Sequence, residues 1–432
     1  MGKDSIILGA GMTGLAAGFA SRLPVFEALD TPGGICSSYY IRPGEKRRTV
    51  QAPNDEEAYR FEIGGGHWIF GADPRVLDLI RKFTSVKTYT RCSSVYFRKD
   101  NLYVPYPLQN HLRFLDREIS KRILSEITGN GGTPRTMKEW LRQSFGPTLC
   151  KLFFYPFHES YTAGLYDRIV PQDGYKSPVD LSLVIQGAST NTSPVGYNAT
   201  FIYPEKGLNA LSQRMADRCN IHFGKQVLKI DVHNKEVLFT DGSTLAYDSL
   251  ISTLPLNKMM QMTGLSVKDE PDPYTSVLVL NIGAKRGGHC PDDQWIYTLD
   301  AVSGFHRLGF YSNVDSSFLP RSARENNDRV SIYVERAYPG GGRPSDRETT
   351  QYTEKVIKEL QEWGFVEDIE VVDPTWIYVA YTWSWPGSNW RRQSMERLEQ
   401  FDIYQVGRYG RWRFQGIADS IRDGLLSGAA FK

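Results

Sequence analysis

The hydrophobic pattern changes period almost at once. Ser5-Ile6-Ile7-Leu8 is an apolar run of strand length, and it ends in Gly9-Ala10-Gly11-Met12-Thr13-Gly14. Behind these glycines Leu15-Ala16-Ala17-Gly18-Phe19-Ala20 reads as a helix, Pro24 stops it, and Val25-Phe26-Glu27-Ala28 reads as the next strand. Strand, glycine turn, helix and strand in such a short stretch predict a βαβ unit with a brief crossover. From about Val86 to Gly187 helical patterns dominate, for example Asp116 to Glu126 and Thr136 to Leu152, with polar connections such as Gly129-Asn130-Gly131-Gly132. Between Ile221 and Pro255 the texture is β: Val227 to Val232 and Lys235 to Phe239 alternate, Asp241-Gly242 is a hairpin turn, and Ser249 to Thr253 forms a buried strand. Apolar strands recur from Ser276 to Tyr311, Val330 to Arg336 and Trp376 to Tyr381, predicting a separate antiparallel sheet. Ile403 to Val406 and a closing helix from Ser420 to Ala430 return to α/β texture.

These elements predict an α/β protein: a Rossmann-like dinucleotide-binding domain with a helical insertion and an antiparallel sheet on the substrate side. The expected division is 1–85 with 203–265 and 400–432 for the discontinuous dinucleotide domain, 86–202 for the helical insertion, and 266–399 for the sheet. At 432 residues the chain exceeds what one core usually serves, which fits this division. A hydrophobic fraction of 41% and a charged fraction of 23% are ordinary for a globular protein. Fifty-one basic against forty-nine acidic residues leave +2, which gives no reason to expect nucleic acid or a membrane surface as partner. The five cysteines are scattered without CxxC or metal spacing, so a reducing, cytoplasmic setting and no metal are expected. No apolar run reaches the eighteen or so residues of a membrane span.

The glycines carry the first chemistry. Gly9 permits the tight turn, Gly11 lets the backbone approach a pyrophosphate, Gly14 lets helix and sheet pack closely, and Thr13 lies in the first helical turn, whose N–H groups face the phosphates. Glu27, at the end of the second strand, is placed to accept from adenosine ribose hydroxyls. Downstream, Thr31-Pro32-Gly33-Gly34-Ile35-Cys36 adds a second glycine pair. With it, the sequence resembles the flavoprotein group of amine oxidases, protoporphyrinogen oxidases and UDP-galactopyranose mutases. That resemblance implies non-covalent FAD, with Gly33 and Gly34 along its pyrophosphate and ribityl chain and Val227 on the adenine side.

Several segments resemble the mutases within that group. Phe61 to Phe70, containing Gly64-Gly65-Gly66-His67, resembles the loop that borders the flavin ring. Tyr103 to Asn110 resembles a uracil-binding segment, which would give that role to Tyr106 and Gln109. Gly407-Arg408-Tyr409-Gly410 resembles a flavin-side motif, and Ser420 and Ile421 open the closing helix. Tyr297 and Arg307 fall where the mutases keep a substrate tyrosine and a diphosphate-binding arginine.

The resemblance implies an FAD-dependent sugar-nucleotide pyranose/furanose mutase-like isomerase in which reduced flavin N5 is the nucleophile and NAD(P)H is a candidate external reductant. Arg307 would bind the diphosphate, Arg408 would stabilise negative charge on the flavin, and His67 would tune the N5 side. Three departures argue for a substrate other than UDP-galactose: Ile202 and Trp385 stand where an arginine and a tyrosine would contact the diphosphate, and Phe157-His158-Glu159 replaces a Tyr-Asn pair. Arg391, Arg392 or Arg411 would have to supply the missing charge. The alternative is an FAD-dependent oxidoreductase, a dehydrogenase or oxidase that passes hydride from a small amine, alcohol or ring intermediate to N5. Tyr106, Gln109 and His67 also have plain packing roles open to them.

Overall fold

The computed structural model describes residues 5–71, 73–127, 133–171, 180–192 and 198–432; the predicted Gly129 to Gly132 connection lies outside them. Ser5–Leu8 is a fully buried strand, and its glycine turn leads into the helix Met12–Ser21. Ser5–Leu8 is flanked by Pro24–Phe26 and Ser249–Ser252 in a five-stranded parallel sheet, with Asn220–His222 and Ile403–Gln405 at the edges. Five short strands from distant parts of the chain thus form one sheet, with the glycine turn at their C-terminal ends, where α/β sheets bind ligands.

Small residues hold the helices of this sheet close together. The closing helix Ile417–Ala429 lies against Met12–Ser21, and a Cβ on Gly424 would come within 2.2 Å of the Thr13 carbonyl oxygen, one on Gly428 within 2.4 Å of that of Ala17. Larger residues at these two positions would drive the helices apart.

The second large sheet has seven strands in the order Val366–Thr382, Tyr274–Arg286, Arg329–Pro339, Arg307–Phe310, Trp295–Thr298, Ser93–Phe97, Leu102–Pro105. It is antiparallel apart from the parallel pair Trp295–Thr298 and Ser93–Phe97. Residues alternate between its faces. Ile332, Val334 and Leu308 pack beneath the helix Asp346–Glu362 through Tyr352, Val356 and Leu360, while Tyr333, Glu335 and Arg307 point the other way, into the cavity described below.

The helical pattern expected from Val86 begins later than predicted. Val86–Thr90 pairs with Thr200–Pro204, and Ser93–Phe97 and Leu102–Pro105 extend the seven-stranded sheet, so the helices start at Arg117–Glu126. Val86 to Pro105 is rich in Val, Tyr, Thr and Ser, and tertiary pairing decides such a stretch over a weak helical period. Met137–Leu149 then runs into a π-helical turn, Cys150–Phe154, and on into Tyr155–Tyr161. Among the described residues no helix is long and apolar enough to cross a membrane.

Candidate functional site

The glycine turn shows why each position demands glycine. Gly9 has φ +93° and a Cβ there would lie 2.4 Å from Thr253 Oγ1; a Cβ on Gly14 would lie 1.8 Å from the Gly9 carbonyl oxygen. Both are packing requirements of the turn itself. Gly11 differs, because a Cβ there would meet nothing within 4 Å. Its backbone faces open cavity, as a segment that must admit a pyrophosphate should. Gly33 donates its N–H to the Ala10 carbonyl at 2.8 Å, so the second glycine turn lies directly on the first. Glu27 is buried at the same end, where its Oε2 accepts the Ala10 N–H at 2.6 Å and its Oε1 the Leu29 N–H at 3.0 Å.

Two cavities meet along this turn. One, of about 430 Å³, is lined by Gly9, Gly11, Thr13, Glu27, Gly33, Gly34, Gly66, His67, Tyr106, Tyr297, Arg307, Arg408 and Ser420. The second, of about 730 Å³, shares Gly9, Glu27, Leu254 and Pro255 with it and extends to Val227 and Leu228. Together they form a trough from Val227, past the glycine turn, to His67. An elongated dinucleotide fits these residues: an acidic group where a ribose would lie, bare backbone where a pyrophosphate would lie, and an aromatic-walled chamber beyond.

Strand register builds that chamber. Tyr297 sits opposite Arg307, and Arg307 opposite Glu335, so three side chains from three strands share one rung and one face. Two rungs on, on the same face, Gly309 sits opposite Tyr333, and a Cβ on Gly309 would collide with the Tyr333 ring at 2.0 Å. The loop carrying Gly65-Gly66-His67 presses against this face. A Cβ on Gly65, at φ +80°, would lie 2.7 Å from Glu335 Oε1, and one on Gly66 would lie 2.1 Å from the Tyr333 hydroxyl. Only glycines let His67 sit this close to the sheet.

The charges in the chamber are not equivalent. Arg307 donates from Nε and Nη2 to the two Glu335 oxygens at 2.9 and 2.5 Å, a bidentate pair in which the carboxylate is 2% exposed. Arg408 donates to the carbonyls of Gln415 at 3.0 Å and Ala380 at 2.8 Å, and its guanidinium lies 4.6 Å from the centroid of the Phe414 ring. Burial, and then the positive charges of Arg408 and Arg307, pull the His67 imidazole down to about 4, so it is neutral at physiological pH. Burial and Arg307 pull His306 down to about 3. Burial pushes the Cys36 thiol up to about 12, which leaves it a neutral part of the wall.

The predicted substrate residues separate into two groups. Tyr106 and Tyr297 pack against each other on the cavity wall with ring centroids 4.9 Å apart and planes tilted by 47°, with Arg91 5.2 Å above the Tyr106 ring and donating to the Tyr106 carbonyl. Gln109 is buried in the short helix Leu108–Asn110 and Ile421 in the core, neither lining the cavity. Gly14, Gly65 and Gly407 also stay off the cavity wall and serve packing, Gly407 against Thr13. Trp385 is turned away too: its indole N–H donates to the Pro271 carbonyl at 3.2 Å and its backbone N–H to Asp272 at 3.0 Å. Ile202 lies in the core, paired with Ile69 and Thr88. The replacement cations are elsewhere as well, Arg391 and Arg392 exposed on a helix and Arg411 paired with Asp423 at 3.0 Å.

The sequence reading missed Glu335, His306, Tyr161 and Tyr381, all of which line the chamber. Glu335 had a readable signal: in Ser331-Ile332-Tyr333-Val334-Glu335 it shares strand parity with Tyr333, not with the apolar Ile332 and Val334. Phe153, Phe154, Phe157, His158 and Tyr161 reach the wall through the π-helical turn, a distortion common at functional sites.

A profile of the family described as flavin containing amine oxidoreductase matches residues 13–427. Among solved structures, a reduced UDP-galactopyranose mutase superposes with a TM-score of 0.83 at 23% identity, covering 99% of this chain and 94% of that one. A CLA-producing fatty acid isomerase from P. acnes gives 0.63 at 15% identity, covering 100% and 99%. Putrescine oxidase bound to putrescine gives 0.58 at 16% identity, covering 99% and 98%. At these identities the likeness is one of fold, and it is shared by proteins whose names describe three different reactions.

Proposed function

This chain belongs to the flavin containing amine oxidoreductase family, a family of flavin-dependent enzymes, and from that premise we propose that it is a sugar-nucleotide mutase-like isomerase using FAD. The observation that carries the reading is the convergence of His67, Arg408, Tyr106 and Tyr297 on one chamber at the end of the dinucleotide trough. All four lie in segments that resemble the mutases, and a mutase shares the fold. UDP-galactose itself is not the favoured substrate, because Ile202 and Trp385 lie away from the cavity and Arg307 already has a carboxylate partner.

Gly9, Gly11, Gly33 and Gly34 would hold the FAD pyrophosphate, with Gly14 keeping the turn tight; Glu27 would hold the ribose and Val227 the adenine side. Gly66, His67 and the helix start near Ser420 would border the ring. Bound FAD supplies a ring that takes up or shares an electron pair with a substrate carbon. Arg408, facing the same chamber, favours ligands bearing negative charge there. His67, neutral above about pH 4, offers one ring nitrogen as donor and the other as acceptor, and so can hold a hydroxyl without adding charge. The packed Tyr106 and Tyr297 rings wall one side and exclude water.

The second reading is an FAD-dependent oxidoreductase acting on a small amine, alcohol or ring intermediate. The Arg307–Glu335 pair favours it, since a neutralised guanidinium is a poor diphosphate clamp. One experiment separates the two. Under anaerobic conditions, protein reduced with dithionite or NAD(P)H is mixed with a panel of UDP-, dTDP- and GDP-sugars, and pyranose and furanose forms are resolved by chromatography. Interconversion with no net loss of reducing equivalents is expected. Inertness toward the whole panel, together with stoichiometric bleaching of the oxidised protein by an amine or alcohol, would replace the isomerase with the oxidoreductase.

A further inference from the structure

Two guanidinium groups face the chamber, and the structure treats them differently. Arg307 is gripped by both oxygens of Glu335, which no motif assigned and which reaches the cavity through strand register alone. Arg408 gives its N–H groups to two carbonyls, and among the described residues no carboxylate pairs with it. The titratable groups facing the two arginines include His306 with Nε2 3.8 Å from Glu335 Oε2, Tyr333 on the same strand as Glu335, Tyr381 on Val366–Thr382, His67 on the glycine loop, and Cys36 and Tyr409 beside Arg408. None of these carries charge at neutral pH. The chamber therefore holds two positive charges and one negative, the negative in contact with one positive.

A contact ion pair acts at a distance as a dipole, whose potential falls off faster than that of a lone charge, so Arg307 reaches across the chamber more weakly than Arg408 does. We propose that Glu335 sets the electron affinity of the bound flavin: by offsetting much of the Arg307 charge it leaves Arg408 as the cation that chiefly governs how readily the ring accepts negative charge. Glu335 is thus a positioning residue acting through Arg307. The inference rests on the reading that FAD fills the trough, and it holds for the isomerase and the oxidoreductase alike. Either reaction needs a reduced ring that is held without being over-stabilised, and a site with two uncompensated arginines would make that ring a weaker electron donor.

The test is the midpoint potential of the bound flavin in the parent, Glu335→Gln, Arg307→Gln and the double variant, with sulfite affinity as a second readout. Glu335→Gln should move the potential positive and tighten sulfite about tenfold, within the 5- to 150-fold span usual for coupled sites. Arg307→Gln should move both the opposite way, and the double variant should return to the parent's values. A purely structural pair would loosen flavin in both single variants without shifts of opposite sign. Shifts that are absent or of the same sign overturn the inference. Should Glu335→Gln shed its flavin, the double variant decides, because it leaves no buried charge unpaired. A double-variant potential unlike the parent's, or loss of flavin there too, overturns the inference. A parent protein that binds no flavin at all would instead sink the cofactor reading, so the two failures are told apart.

Discussion

The two ends of the trough are built on opposite principles. The part around the glycine turn, proposed to take the nucleotide, is made mainly of backbone from one stretch of chain: Gly9 and Gly11, with Gly33 hydrogen-bonded on top and Gly14 keeping the turn tight. The ring end is made of side chains from well-separated segments, among them His67, Tyr106, Tyr161, Tyr297, Glu335 and Arg408. Backbone recognition tolerates little change and is shared across chemistries, whereas side-chain recognition can be rewritten one residue at a time. The fold itself is shared with proteins named as a mutase, a fatty acid isomerase and a putrescine oxidase.

The sharpest way to break the contrast is within the glycine turn. Gly14→Ala places a Cβ 1.8 Å from a backbone oxygen and should cost on the order of 4 kcal/mol or more, read as a collapse of the urea midpoint. Gly11→Val projects into open cavity, so its urea midpoint should match that of the flavin-free parent while flavin absorbance is lost. Equal behaviour of the two variants would refute the distinction between a packing glycine and a ligand glycine.

At the ring end, Arg307→Ala leaves Glu335 buried without its partner and should destabilise by about 3 kcal/mol. Denaturant unfolding of the flavin-free protein checks this, and no loss of stability would mean the pair forms only loosely in solution.

A smaller effect is pH-dependent. His67 and His306 have folded values near 4 and 3, below the 6.5 or so of an unfolded chain, so the unfolded state takes up their protons first and stability falls as pH drops from about 6.5. Glu62, raised to about 7 by burial, works in the other direction: its protonated folded form contributes stability at low pH that is lost as pH rises through 7. Replacing both histidines with Gln should flatten the acid limb by up to about 1.4 kcal/mol per pH unit for each. An unchanged limb would mean that these imidazoles reach water in the native state.

The smallest expected effect is a null one. Arg391→Ala and Arg392→Ala should each change stability by less than about 0.5 kcal/mol and leave sugar-nucleotide binding, measured by calorimetry, unaltered. Weakened binding would return these cations to the substrate site.

Legibility in the sequence followed the same division. The βαβ unit could be read because its demands are local: the turn needs glycine at fixed spacing, and Glu27 closes the strand. The large sheet was readable as antiparallel strands, but its last two members, Ser93–Phe97 and Leu102–Pro105, were not: they pair with each other locally, and the pairing that ties them to the sheet, with Trp295–Thr298, lies far away in the chain. Register was hidden for the same reason. Nothing local tells Arg307 that Glu335 will sit opposite it, or sends Ile202 to the core and Trp385 away from the cavity. Residue types that match a relative's contact positions report what a side chain could do, and the pairing of strands decides whether it arrives there.

The close fit of Gly424 and Gly428 on the helix Met12–Ser21 has a consequence for how the protein is made. The glycine turn and the helix that covers it are separated by nearly the whole of this sequence, so the helix is translated long after the turn. Until then the first helix exposes an apolar face, and the parallel sheet lacks its edge strand Ile403–Gln405. Contacts of such long sequence separation form late and slowly. The nascent chain must therefore keep the helix Met12–Ser21 soluble while waiting for its partner, and chaperone demand should track the interval between translating the two helices.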